Sequence, residues 1–306
     1  MIVVAGEALI DLILAPDGTL AATPGGGPFN TARAIARLGG GVAYLGCLST
    51  DRFGEMLRAA LIADGVDLSL TATTEAPTTL AIAELDAAGA ATYRFHTAET
   101  SAPEISAGDV ARAVGAKPAA LHLGTLGLVL EPAATALADG VAAVSPKTVV
   151  MLDPNCRASM IRDRAGYLAR LDRVLARADV VKVSVDDLAY LDPGSSPIDA
   201  ARTLAKRGPG VVLLTDGGRP VLVITSNVAE EVDVPSVRIV DTVGAGDAFG
   251  GAFLARWTER GLGRADLADL AALHDAVTLA VDVATITCQR AGADPPRRSE
   301  TAWPPR

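Results

Sequence analysis

Six short apolar runs, at residues 2–4, 42–45, 119–123, 148–152, 180–183 and 211–214, most constrain how this chain can fold. They are continuous rather than alternating, which suits strands covered on both faces, and helix-like segments lie between most of them. That rhythm predicts a mostly parallel sheet with helices on either side, an α/β fold of three layers. Helices are expected at residues 30–38, 54–63, 131–144, 165–176 and 198–206, with a long pair after Gly246. Two stretches break the pattern. Residues 9–14 and 20–23 flank Pro16-Asp17-Gly18, and residues 78–85 and 92–96 flank Asp86-Ala87-Ala88-Gly89, so each reads as a hairpin. Together, over about 9–24 and 77–97, they predict a small sheet standing off the main layer. No internal repeat or Pro/Gly/Ser-rich linker divides the 306 residues, which are expected to form one domain, with a tail at 295–306 lying loose on the surface.

Composition narrows the function. Aromatics make up 4% of the chain, so Ala, Val and Leu must build the core. A net charge of −9 argues against a nucleic-acid surface, which needs clustered Lys and Arg. No apolar run reaches the roughly 18 residues of a membrane span, and the first residues carry no basic leader, so a cytoplasmic location away from membranes is expected. Cys47, Cys156 and Cys288 are too widely spaced for a metal or redox pair and are expected as reduced thiols. His96, His122 and His274 do not cluster and are expected to be packed or surface residues.

Two glycine-rich stretches carry the chemistry. In Asp241-Thr242-Val243-Gly244-Ala245-Gly246-Asp247-Ala248-Phe249-Gly250, the glycines fall where a strand ending at residues 237–240 would turn into a helix. Backbone N–H groups at such a turn can point into one concavity, and the helix dipole adds about half a positive charge there. Asp247 has two readings: a helix cap, or a base that accepts the proton of a hydroxyl attacking a phosphoryl group held in the concavity. The second stretch, Gly25-Gly26-Gly27-Pro28-Phe29-Asn30, opens a helix; Asn30 either caps it or offers a donor and an acceptor to sugar hydroxyls. No Gly-x-x-x-x-Gly-Lys-Ser/Thr loop is present, and the spacing of Gly244, Gly246 and Gly250 is one residue too long for a dinucleotide fingerprint.

Taken together, the segments at 25–39 and 241–250 resemble the two signatures of the PfkB family of carbohydrate kinases, and the resemblance runs over nearly the whole chain. It implies a ribokinase-like fold in which the hairpins form a lid. It also implies that Gly244, Ala245 and Gly246 form the phosphate anion hole, that Asp247 is the catalytic base, and that Asp11, Gly26, Gly27 and Asn30 hold the sugar. Asp153-Pro154-Asn155-Cys156-Arg157 is similar to the Asp-Pro-Asn-x-Arg of the fructokinase and 2-keto-3-deoxygluconate kinase branch, which assigns Asn155 and Arg157 to the phosphates or the sugar. Arg94, on a lid strand, joins them as a candidate cation for a sugar acid. Ser184 and Asp187 stand where the family has Asn-x-x-Glu, with Asp187 expected to act on Mg²⁺ through water. Thr215, Gly217 and Gly218 resemble its nucleotide loop, with Pro220 in place of a last glycine. Asp241, Val243, Thr287, Arg290 and Gly292 resemble loops that hold K⁺ in many members. The resemblance therefore implies ATP and Mg²⁺, with K⁺ as a further ion, and a kinase acting on a primary sugar hydroxyl, fructose first. The alternatives are 2-keto-3-deoxygluconate kinase, ribokinase or nucleoside kinase, and a sugar-sensing protein without catalysis. A homodimer through the lid is also expected.

Overall fold

The computed structural model describes residues 1–85, 91–226 and 228–304; the predicted turn at Asp86–Gly89 lies outside them. Its main sheet has eight strands in the order Ala229–Val232, Val221–Thr225, Val211–Thr215, Val180–Ser184, Val149–Asp153, Ala120–Gly124, Ile2–Ala5 and Val42–Leu45. The six strands from Val211–Thr215 to Val42–Leu45 run parallel, as the apolar runs predict. The other two join at one edge by antiparallel pairing.

The continuous apolar runs have the cause the sequence suggested. In the first strand Ile2 and Val4 enter one core and Val3 and Ala5 the other, because successive side chains leave a strand on opposite faces. The first core is covered by helices Gly27–Arg37, Arg52–Asp64, Ala245–Glu259 and Leu270–Cys288, with Phe29, Leu57, Phe253 and Leu273 pointing in. The second is covered by Ala107–Gly115, Ala133–Ala142, Arg164–Leu175 and Pro197–Ala205. Trp257, fully buried, stacks on Phe253.

Both hairpins form, Leu9–Leu14 with Leu20–Gly25 and Leu80–Leu85 with Ala91–His96. Parallel pairing of Leu9–Leu14 with Leu80–Leu85 joins them into one four-stranded sheet. Leu9 and Ala81 from this sheet meet Leu126 of the main body, with Phe95, Leu130 and Met160 packed around them.

Three expectations need correction. Residues 237–240 are not a strand: Ile239 is 60% exposed and Val240 57%, and the Val240 amide donates to the Cys288 carbonyl instead of a sheet neighbour. The segment at 295–304 is not loose, since Trp303 is buried under Arg298 and donates its indole N–H to Glu259 at 2.7 Å. The helix expected at 30–38 spans Gly27–Arg37, because Pro28 falls in the first turn, where its missing N–H costs nothing.

Candidate active site

The parallel strands end on one side of the sheet, where open α/β sheets bind ligands. There the carboxyl ends of Ala120–Gly124, Val149–Asp153, Val180–Ser184 and Val211–Thr215 meet the first turns of helices Gly27–Arg37 and Ala245–Glu259. Close packing of those two helices depends on Gly251. A Cβ there would lie 2.9 Å from the Thr31 carbonyl oxygen, so only glycine lets the backbones approach this far. The same approach brings Asn30 to Asp247, whose Oδ2 accepts from Asn30 Nδ2 at 2.9 Å.

This contact counts against the helix-cap reading of each residue. The second helix begins at Ala245 with Gly244 as its cap, at φ 76°, and no side chain caps it. Asp247 therefore lies inside the first turn and spends its carboxylate on the other helix. Asn30 likewise lies inside the first turn rather than capping it, and its Oδ1 is buried without a partner. The Gly246 and Asp247 amides have no acceptor among the described residues, as expected for the orphan donors of a helix start. Of the expected set Gly244 to Gly246, Gly244 is the cap and the Ala245 amide donates to the Thr242 carbonyl at 3.3 Å, so the donors at this helix start are the Gly246 and Asp247 amides.

Beneath it lies a residue to which the sequence reading assigned no role. Lys182 is 6% exposed, and a Cβ on Gly246 would sit 2.7 Å from its Nζ. The ammonium bonds Asp153 Oδ2 at 3.0 Å. Burial works against the charged lysine, but Asp153, Asp187 and Asp247 outweigh it, so Lys182 stays protonated. The available signal was a lysine between valines in a strand buried on both faces, Val181-Lys182-Val183, a charge that needs a reason. His122, on the adjoining part of the sheet, is pushed down to about 3 by burial and by Lys182, and is neutral.

Burial raises Asp247 to about 7; the Asn30 hydrogen bond opposes this, Asp153 adds to it, and Lys182 and Arg157 pull against it. Asp11 is raised to about 6 by burial, with Arg157 opposing. Arg157 itself is exposed and donates to Asn155, whose φ of 39° bends the loop after Asp153. A Cβ on Gly25 would lie 2.1 Å from Asp11 Oδ2, and one on Gly26 2.7 Å from the Glu7 carbonyl, so the glycine turn lies directly against both. Asp11, Gly26, Gly27, Asn30, Arg157 and Asp247 thus line one cleft between the two sheets.

Arg94 is not among them. Asp11 pairs with Ala81 and Ala81 with Phe95, while the next row runs Leu12, Ile82 and Arg94. Neighbouring rows point to opposite faces, so Arg94 faces away from the cleft and pairs with Glu84 at 3.0 Å. Asp187 is near but committed. Its oxygens accept from the amides of Cys156 and Ser184 and from the Ser184 hydroxyl, at 2.6–2.8 Å, which ties the Asn155 loop to the start of helix Val185–Leu191. That arrangement gives it the work of a strut.

Thr215 lies beside Ser184 on the adjacent strand, and Gly217 and Gly218 open an exposed turn with free space around both. Asp241 accepts from the Val243 and Gly292 amides at 3.0 and 2.8 Å, lacing together two of the loops expected for K⁺. Nearby, the hydroxyl of Thr287 is turned inward to Val283, and Arg290 is engaged by Asp294 and Glu300.

Residues 1–300 match the pfkB family carbohydrate kinase profile. A fructokinase of Rhizobium leguminosarum bv. trifolii is 37% identical over 265 residues, covering 83% of this chain and 79% of its own. Among solved structures, fructokinase with bound ATP from Xylella fastidiosa superposes with a TM-score of 0.88 at 27% identity, over 95% of this chain and 93% of that one. Fructokinase from Vibrio cholerae O395, in a form with fructose, ADP and calcium ion bound, gives 0.83 at 27% identity, over 95% and 94%. The fold is the ribokinase-like α/β fold that the two motifs implied.

Proposed function

The chain belongs to the pfkB family of carbohydrate kinases, and from that membership we propose that it transfers the γ-phosphoryl group of ATP to a primary hydroxyl of fructose. The observation that carries the reading is the pairing at the head of helix Ala245–Glu259. A carboxylate held by Asn30 and a set of free amides above the Lys182 ammonium lie within one helical turn.

In this reading the sugar enters over Asp11, the glycine turn and Asn30, whose unpartnered Oδ1 supplies an acceptor to a sugar hydroxyl. The four-stranded sheet closes over it and excludes water. Asp247 orients the attacking hydroxyl and takes its proton. The Gly246 and Asp247 amides and Lys182 meet the charge that builds on the transferred phosphoryl oxygens, where fixed donors in a dry site act most strongly. Mg²⁺ would arrive on the ATP phosphates as part of the substrate. Among the described residues no group of three acidic, His or Cys side chains could hold a metal alone, which fits an ion ligated by ATP oxygens and water. The lacing of Asp241 to Val243 and Gly292 supports K⁺ at those loops. Exposed Leu14 and Leu20, paired on the face of the small sheet turned away from Asp11, support pairing of two copies through it.

Fructose stands ahead of the sugar acid because the relatives are fructokinases and because Arg94, one of the two cations that with Arg157 could meet a carboxylate, faces away from the cleft. Measuring ADP release with fructose, ribose, adenosine and 2-keto-3-deoxygluconate tests the choice. Fructose should give the highest kcat/KM; sugar binding with no ADP release from any of them would instead indicate a sensor. The base must be ionised to act, so activity should fall as pH drops through the Asp247 range. With a pKa raised to about 7, kcat/KM for fructose should lose roughly tenfold per pH unit on the acid side, and a flat profile from pH 5 to 8 would contradict it.

A further inference from the structure

Glu7, which follows the first strand, is 3% exposed. The Gly27 amide donates to Oε1 at 3.3 Å and the Gly127 amide to Oε2 at 3.0 Å. The Thr125 hydroxyl is in hydrogen-bonding contact with both oxygens. One carboxylate therefore joins the end of the first strand, the glycine turn and the loop after strand Ala120–Gly124. Thr125 has φ 50°, a left-handed conformation that a β-branched side chain adopts only where its surroundings impose it. Gly27 lies between this loop and the base, since a Cβ there would be 2.7 Å from Thr125 Cγ2 and 3.3 Å from Asp247 Oδ1. Asn30, one turn further along the same helix, holds the other oxygen, Oδ2.

We propose that Glu7 is a positioning residue for phosphoryl transfer: through the Gly27 amide and the Thr125 hydroxyl it sets the first turn of helix Gly27–Arg37, and so places Asn30, which holds Asp247 Oδ2. The proposal rests on the reading of Asp247 as the base. Two ionisable groups face Glu7. One is Asp247, whose charge adds to the burial that raises Glu7 to about 7; the other is Tyr44, kept protonated by burial and by Glu7, with its hydroxyl on the Gly6 carbonyl. Gln cannot replace Glu7 without loss, because two backbone N–H groups need an acceptor on each side and the amide offers one.

The test is steady-state kinetics on Glu7→Gln, Thr125→Val and Thr125→Ser in the full chain. Glu7→Gln should lower kcat/KM for fructose by about 10²-fold, the cost of a misplacement near 1 Å, while the KM for ATP stays at the wild-type value. Its acid limb should move to lower pH, because a negative neighbour of Asp247 is gone. Thr125→Val should share the loss in fructose kcat/KM, and Thr125→Ser, which keeps the hydroxyl, should restore it. Wild-type fructose kinetics and pH limb in Glu7→Gln would overturn the proposal. If that variant does not fold, wild-type fructose kinetics in Thr125→Val overturn it instead. A wild-type chain that phosphorylates no sugar would refute the kinase reading itself, a result separable from either.

Discussion

Asp247→Asn should lower fructose-dependent ADP release by about 10²–10⁴-fold, the range for a positioned acid or base, while ATP binding measured by calorimetry stays close to wild type. The two readouts separate because the amides and Lys182, which meet the phosphates in this account, are left in place, whereas the carboxylate bonded to Asn30 is lost. The acid limb near pH 7 should disappear with the base. Stability should change in the opposite sense. A carboxylate whose pKa rises on folding, here from 3.8 to about 7, stabilises the folded state below its unfolded value and loses that contribution as pH climbs through 7. The variant, which cannot ionise, should therefore melt higher than wild type at pH 8, with the gain shrinking as pH falls toward 4. Raised stability with lost turnover is the usual sign of a group placed for chemistry rather than for the fold.

Lys182→Met should have the second-largest effect. It removes the buried cation beneath Gly246 and should cost about 10²–10³-fold in kcat, the scale of one lost donor to a developing anion. It also leaves Asp153 buried without its partner at 3.0 Å, and breaking such a pair costs about 3–5 kcal/mol. Fold and chemistry can be told apart with the double variant Lys182→Met, Asp153→Asn. Its thermal stability should return most of the way to wild type, because the carboxylate bonded to Lys182 is removed together with its partner. Its turnover should not return. Recovery of both would make the pair a structural device only.

Much of the fold was legible because it rests on strands buried on both faces, which leave unbroken apolar runs such as Val149–Asp153. The antiparallel edge pair Val221–Thr225 and Ala229–Val232 was not legible: its strands are five and four residues long, and Glu230 and Glu231 break the apolar pattern of the second. Arg94 shows a different limit. Its strand was placed correctly, but the face it occupies follows from pairing with Ile82 rather than Ala81, and one residue of register reverses it. At the site, Gly244, Gly246, Asp247 and Asn30 could be seen because a backbone that wraps an anion leaves a local spacing. Lys182, Asp153, Glu7 and Thr125 lie on four different strands or just after them and meet only once the sheet has assembled, so no single local spacing joins them. Trp303 was misjudged for the same reason, since its partner Glu259 lies 44 residues away.

A crystal structure of the chain with fructose and a non-hydrolysable ATP analogue tests the central claim most directly. The account predicts a primary hydroxyl of fructose within about 3 Å of an Asp247 oxygen, with the terminal phosphate on the Gly246 and Asp247 amides and on Lys182 Nζ. A terminal phosphate seated away from those amides, or a sugar whose primary hydroxyls all lie beyond reach of Asp247 with the small sheet closed, would contradict it.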